Sequence, residues 1–156
     1  MIRYLNEGCP CGCNQGCCPP LPQTVSVTGN FASTSNPACQ SVATLGTAAL
    51  GSATAQGGSV TFTPGGNTIL LGQAGTYYLG VTGNLCAAVE GDTGIAFAVN
   101  GVQLPAGTQT ITGTDGTPFG VATLLTVTAP TAITVINPSP TATSYENVSV
   151  TVFRLA

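Results

Sequence analysis

Ile95-Ala96-Phe97-Ala98-Val99-Asn100-Gly101-Val102-Gln103-Leu104-Pro105 carries the clearest structural signal in this 156-residue chain. Ile95, Phe97 and Val99 alternate with Ala96, Ala98 and Asn100, the period of two that sends successive side chains to opposite faces of a strand. Asn100-Gly101 follows, and a two-residue hairpin turn needs positive φ at both of its positions. The stretch reads as strand, tight turn, strand. Working outward, the same texture continues on both sides: threonine and valine abound, Gly or Pro punctuates every eight to twelve residues or so, and no helical period survives ten residues. Strands are predicted over 24–28, 59–63, 68–71, 76–82, 94–99, 102–104, 108–112, 121–128, 132–137 and 147–155. In the last of these Val148, Val150 and Val152 share a face opposite Ser149, Thr151 and Phe153. Residues 40–58 are rich in small side chains and read as loop or weak edge strand. Tyr77 and Tyr78 fall on opposite faces of one strand, so at most one belongs to a monomer core. Many short strands with frequent turns predict an all-β sandwich or barrel, and the pattern alone does not choose between immunoglobulin-like and jelly-roll topology.

Charge narrows the function. Charged residues make up 4% of the chain, against about 25% in an ordinary soluble domain. There is no His and no Trp, and the only basic side chains are Arg3 and Arg154. Two arginines make no basic patch, so no nucleic acid is expected as a partner. Acid–base catalysis by His and Schiff-base chemistry by Lys are excluded with them, so no enzyme and no cofactor is expected. Glu90 and Asp92 form the one close carboxylate pair; a calcium site needs six or more oxygens, and a solvated loop is the favoured reading. Asn147-Val148-Ser149 matches the N-glycosylation pattern but falls in a predicted strand. No apolar run reaches the length of a membrane span, and the first residues lack the apolar core of a signal peptide. A net charge of −3 is small, and surfaces so weakly charged tend to associate.

Residues 1–22 differ in composition from the rest and are assigned as a connector arm, with 23–156 as the domain. Five of the seven cysteines, Cys9, Cys11, Cys13, Cys17 and Cys18, lie in this arm, followed by the stiff spacer Pro19-Pro20-Leu21-Pro22. An odd set cannot pair fully within the arm, and neighbours Cys17 and Cys18 are badly placed to bridge each other. Some must reach Cys39 or Cys86, bond another chain, bind metal, or stay reduced. Cross-linking of subunits is the reading that uses this arithmetic. The competing reading is a thiolate cluster for a soft ion such as zinc or copper(I). Cys39 and Cys86 also have a plainer reading, as small buried hydrophobes. Ile2, Tyr4 and Leu5 have no local core, and burying each in a partner would contribute about 1.5–3 kcal/mol.

Residues 67–156 resemble the C-terminal domain of the collagen-like exosporium glycoproteins of Bacillus spores. The resemblance rests on Gly75-Thr76-Tyr77-Tyr78-Leu79, on the Asn100-Gly101 hairpin running to Pro105, and on Val148-Ser149-Val150-Thr151-Val152-Phe153-Arg154-Leu155-Ala156. It implies a homotrimeric, antiparallel jelly-roll β-sandwich of the complement and tumour-necrosis-factor type. No collagen-like stalk precedes the domain; the cysteine-rich arm stands in its place and is similar in composition to the N-terminal connectors of endospore appendage fibre subunits. That likeness implies an extracellular or spore-surface fibre, with trimers joined head to tail by arms and disulfides. It also implies the chain itself, and a spore-surface anchor protein, as partners. The alternative is a trimeric surface adhesin or tip module that binds glycan or protein.

Overall fold

The computed structural model describes residues 29–89, 91–128 and 130–155. Eleven strands and no helix are found among them: β1 (Phe31–Asn36), β2 (Gln40–Val42), β3 (Ser52–Gly57), β4 (Val60–Phe62), β5 (Thr68–Leu71), β6 (Gly75–Leu85), β7 (Thr93–Val99), β8 (Val102–Ile111), β9 (Pro118–Val127), β10 (Thr131–Ile136) and β11 (Thr143–Arg154). All pairings are antiparallel. The hydrogen-bonded path runs β8-β7-β10-β5-β4-β3-β1-β11-β6-β9, with β2 added beside β11. This path folds over on itself at the β3–β4 hairpin, where only Gly57 and Val60 pair. The group β1-β11-β6-β9 thereby faces the group β4-β5-β10-β7-β8, and the ends β8 and β9 meet, with Gly120 N donating to Gln109 Oε1 at 2.8 Å. The result is the expected sandwich.

The alternation read from sequence sorts the core. Val148, Val150 and Val152 are fully buried, as are Ile95 and Phe97, and Tyr77, Leu79 and Val81 meet them from β6. Asn100 and Gly101 adopt φ of 50° and 82°, both positive as the hairpin requires. Near the opposite end a polar chain ties the two sheets together. Thr93 bonds Ser139 at 3.0 Å and also Thr143, while the buried Tyr145 hydroxyl donates to the Gly94 carbonyl. Burial pushes the Tyr145 phenol up from its usual range, and bonding to Thr143 and Thr93 works against that. The unfolded chain therefore gives up this proton first. Stability from Tyr145 is complete below about pH 10 and falls as pH rises beyond it. Tyr145→Phe is expected to cost about 1–3 kcal/mol at neutral pH, because the Gly94 carbonyl loses its donor, and to flatten the alkaline decline in urea melts.

Several expectations need correction. Residues 40–58, read as loop or weak edge strand, contain both: the short strands β2 and β3 lie within them, with loop between. Strand β1, Phe-Ala-Ser-Thr-Ser-Asn, is not among the predicted strands, since five of its six residues are small or polar. The separate strands expected at 102–104 and 108–112 are one element, β8. It carries a wide bulge, because Ala98 pairs with Gln103 but Ala96 already pairs with Thr108. Pro105 has no N–H to give the ladder, so the chain bows out there. Strand β11 begins at Thr143 and is broken by a bulge between Glu146 and Ser149, where Asn147 takes φ of 52°. Opposite that bulge sits Gly83. A Cβ there would meet the Phe119 ring at 2.5 Å, and the ring itself packs edge-on to Tyr145 at 5.6 Å. Gly83→Ala is expected to lower unfolding free energy by about 1–3 kcal/mol, with partial recovery when Phe119 is shortened to Leu.

Candidate subunit interface

The outer face of the β1-β11-β6-β9 group carries one unbroken apolar row. Phe31 pairs with Phe153, Phe153 with Tyr78, and Tyr78 with Leu124, so four neighbouring strands each contribute one side chain at the same level. Directly paired residues project to the same face, so all four point away from the core. Tyr78 stacks on Phe153 with ring centroids 4.8 Å apart and planes 20° apart. The Tyr78 ring lies flat over Gly80, where a Cβ would come within 2.9 Å of it. Leu124 is 60% exposed. The next two rows are Ser33-Thr151-Gly80-Ala122 and Ser35-Ser149-Thr82-Gly120, small and uncharged throughout. Beyond these rows Glu146 stands on the same face, paired with Asn84, so the uncharged area comprises these three rows; an aromatic bar bordered by small side chains suits close packing against another surface. The division expected of the tyrosines is seen here: Tyr77 is buried and donates to the Gln73 carbonyl at 2.8 Å, while Tyr78 faces outward.

The domain cysteines have a single fate. Cys39, just before β2, and Cys86, just after β6, form a disulfide with Cα atoms 5.9 Å apart and a sequence separation of 47. Strand β11 brings them together, because it pairs with β2 on one side and β6 on the other. Cys39 is exposed and Cys86 half-buried, so the small-buried-hydrophobe reading does not hold for either. Cys9, Cys11, Cys13, Cys17 and Cys18, and with them Ile2, Tyr4 and Leu5, lie outside the described residues, as does Glu90. Asp92 accepts a bond from Thr112 at 2.9 Å. Among the described residues there is no group of three metal-ligating side chains, and no helix is long and apolar enough to cross a membrane.

Known structures define the class to which this geometry belongs. Murine APRIL at pH 5.0 superposes with a TM-score of 0.64 at 12% identity, covering 80% of this chain and 98% of that one. The globular domain of zebrafish complement 1qA protein gives 0.62 at 9% identity, covering 81% and 98%. The Eiger TNF of S. frugiperda gives 0.61 at 12%, covering 81% and 92%. The chain therefore has the antiparallel jelly roll of the tumour-necrosis-factor and complement type. No family model and no curated protein matches its sequence.

Proposed function

We propose that this chain is a structural subunit of an extracellular or spore-surface protein fibre, non-enzymatic, built from homotrimers that join head to tail through the N-terminal arm. The observation that carries the reading is the Phe31-Phe153-Tyr78-Leu124 row, an aromatic bar bordered by two rows of small, uncharged side chains and facing outward among the described residues. Packing three such faces around one axis accounts for the bar. The jelly-roll neighbours support a self-associating module, and the lack of charge suits a surface that spends its life against copies of itself.

The cysteine arithmetic supports the joining of trimers. With Cys39 and Cys86 committed to each other, five arm cysteines remain, an odd number. At least one of them must bond another chain, bind a metal, or remain a free thiol. A fibre exposed to an oxidising exterior gives that sulfur a partner in the next subunit. A spore-surface anchor protein would be the natural base of such a fibre.

Electron microscopy of the purified protein tests this directly. Filaments are expected from the full chain, and soluble trimers without filaments after deletion of residues 1–18. Changing the five arm cysteines to Ser should leave filaments that fall apart on heating in detergent. Discrete trimers from the full chain would favour the adhesin reading instead.

A further inference from the structure

We propose that the outer face of β7 and β8 carries a binding site for a neutral sugar unit of a glycan, held in the cleft between Thr110 and the turn at Pro138. The proposal goes beyond the fibre reading and does not depend on it.

Strand register places the walls. Ile95 and Phe97 point into the core, so Gly94, Ala96 and Ala98 face outward, and their partners on β8 are Thr110, Thr108 and Gln103. Asp92 joins them from just before β7, where Thr112 donates to its Oδ1 at 2.9 Å. Opposite β8 lies the turn after β10, at Pro138 and Ser139. The space between is a cleft of about 320 Å³, with Asp92 as its one charged lining residue. That volume is at the low end of the roughly 300–1,000 Å³ usual for small-ligand sites. Gly94 lets the turn come down, since a Cβ there would stand 3.0 Å from both the Pro138 ring and the Gln109 carbonyl. The fully buried Asn137 fixes the turn from beneath. It donates to the Val42 and Thr141 carbonyls at 3.0 and 2.8 Å and accepts the Ser139 amide at 2.9 Å. A wall so held needs no ordering when a ligand arrives. The cleft lies on the sheet opposite the aromatic bar, so packing copies through that bar leaves it open.

The hydrogen bonds already made decide which atoms remain. The Thr108 hydroxyl donates to the Leu104 carbonyl at 3.0 Å, so toward Gln103 it accepts, taking Nε2 at 3.1 Å. Gln103 Oε1 is left as an acceptor. The Gly120 amide takes Gln109 Oε1 at 2.8 Å, which leaves the Gln109 NH₂ as a donor. Asp92 keeps its second oxygen, and the Thr110 hydroxyl has no partner among the described residues. The cleft therefore presents two acceptors, one donor and one hydroxyl that can serve as either. An anion satisfies only the donors and meets the Asp92 carboxylate. A metal cation satisfies only the acceptors, which fall short of the six or more oxygens calcium takes. A hydrocarbon leaves every one of these groups unpaired. Adjacent hydroxyls donate and accept at once, and the half-buried Pro138 ring offers carbon surface to the C–H face of a pyranose.

Saturation-transfer NMR on the full-length protein, in whatever assembly it adopts, tests the site. The probes are the methyl glycosides of glucose, galactose, mannose, N-acetylglucosamine and rhamnose, with N-acetylneuraminic acid as the anionic comparison. At least one neutral glycoside is expected to receive saturation, and the anionic sugar none. Thr110→Val removes a hydroxyl at nearly constant shape. Asp92→Asn keeps an oxygen for Thr112 and turns the free acceptor into a donor. Both side chains are exposed, so the melting temperature should not move. Each change is expected to weaken the bound glycoside about tenfold or more. Silence from every neutral glycoside overturns the site, and filaments that stay silent leave the fibre reading standing. Binding that both variants leave unchanged lies elsewhere and overturns it too, as does binding of the anionic sugar alone.

Discussion

Phe153→Asp is expected to convert trimers into folded monomers. In the isolated subunit Phe153 is half-buried on the outer face, stacked on Tyr78, and its replacement takes nothing from the core, where Val152 fills the neighbouring inward position. In a trimer packed through the aromatic bar, three carboxylates would meet near one axis, out of water. The effective penalty is several kcal/mol for each buried, unpaired charge, far beyond what the lost stacking alone accounts for. Sedimentation velocity should show one species at the monomer mass, and far-UV circular dichroism should keep its β signature. A trimer that persists in the variant would place the interface elsewhere, and a monomeric wild type would remove it altogether.

Joint replacement of Cys39 and Cys86 by Ser should lower the domain's unfolding free energy by about 4 kcal/mol, the loop-closure entropy of a cross-link spanning 47 residues. The cost falls mainly on the unfolded chain, because the pairing of β2 and β6 with β11 already holds the two positions together in the native state. Urea melts of the Phe153→Asp monomer, with and without the two cysteines, measure this free of assembly. A loss below about 1 kcal/mol would mean that the unfolded chain is already compact around this loop.

The strands that announced themselves in sequence were those with one buried face and one wet face. In β6 and β11 the alternation of large apolar residues with Thr, Ser or Gly is visible without coordinates; β7 alternates as well, although Ala96 and Ala98 leave its second face buried too, and the Asn100-Gly101 turn fixes the β7–β8 register. Strand β1 was illegible because its inward positions are Ala32, Thr34 and Asn36, too small or polar to mark a core face. Strand β3 was illegible for a related reason: both of its faces are small, and its membership in the sheet is decided by β1 alone. The disulfide escaped because Cys39 and Cys86 become neighbours only through β11, a partner remote from both. The aromatic bar was half legible. Tyr77 and Tyr78 had to face opposite ways, but only register reveals that Phe31, Phe153 and Leu124 stand level with Tyr78.

The pairing of Phe31 with Phe153 also fixes a direction. It sets the root of the arm and the end of β11 at one pole of the sandwich, with the Leu155 amide bonded to the Thr76 carbonyl close by. A subunit that reaches out from one pole and is gripped elsewhere makes an unlike-to-unlike contact, which closes into a ring only if the rotation happens to add up and otherwise continues without end. Such a fibre has a beginning and an end that differ, grows at ends that are not equivalent, and stops only when subunits run out or a different protein occupies the terminal grip.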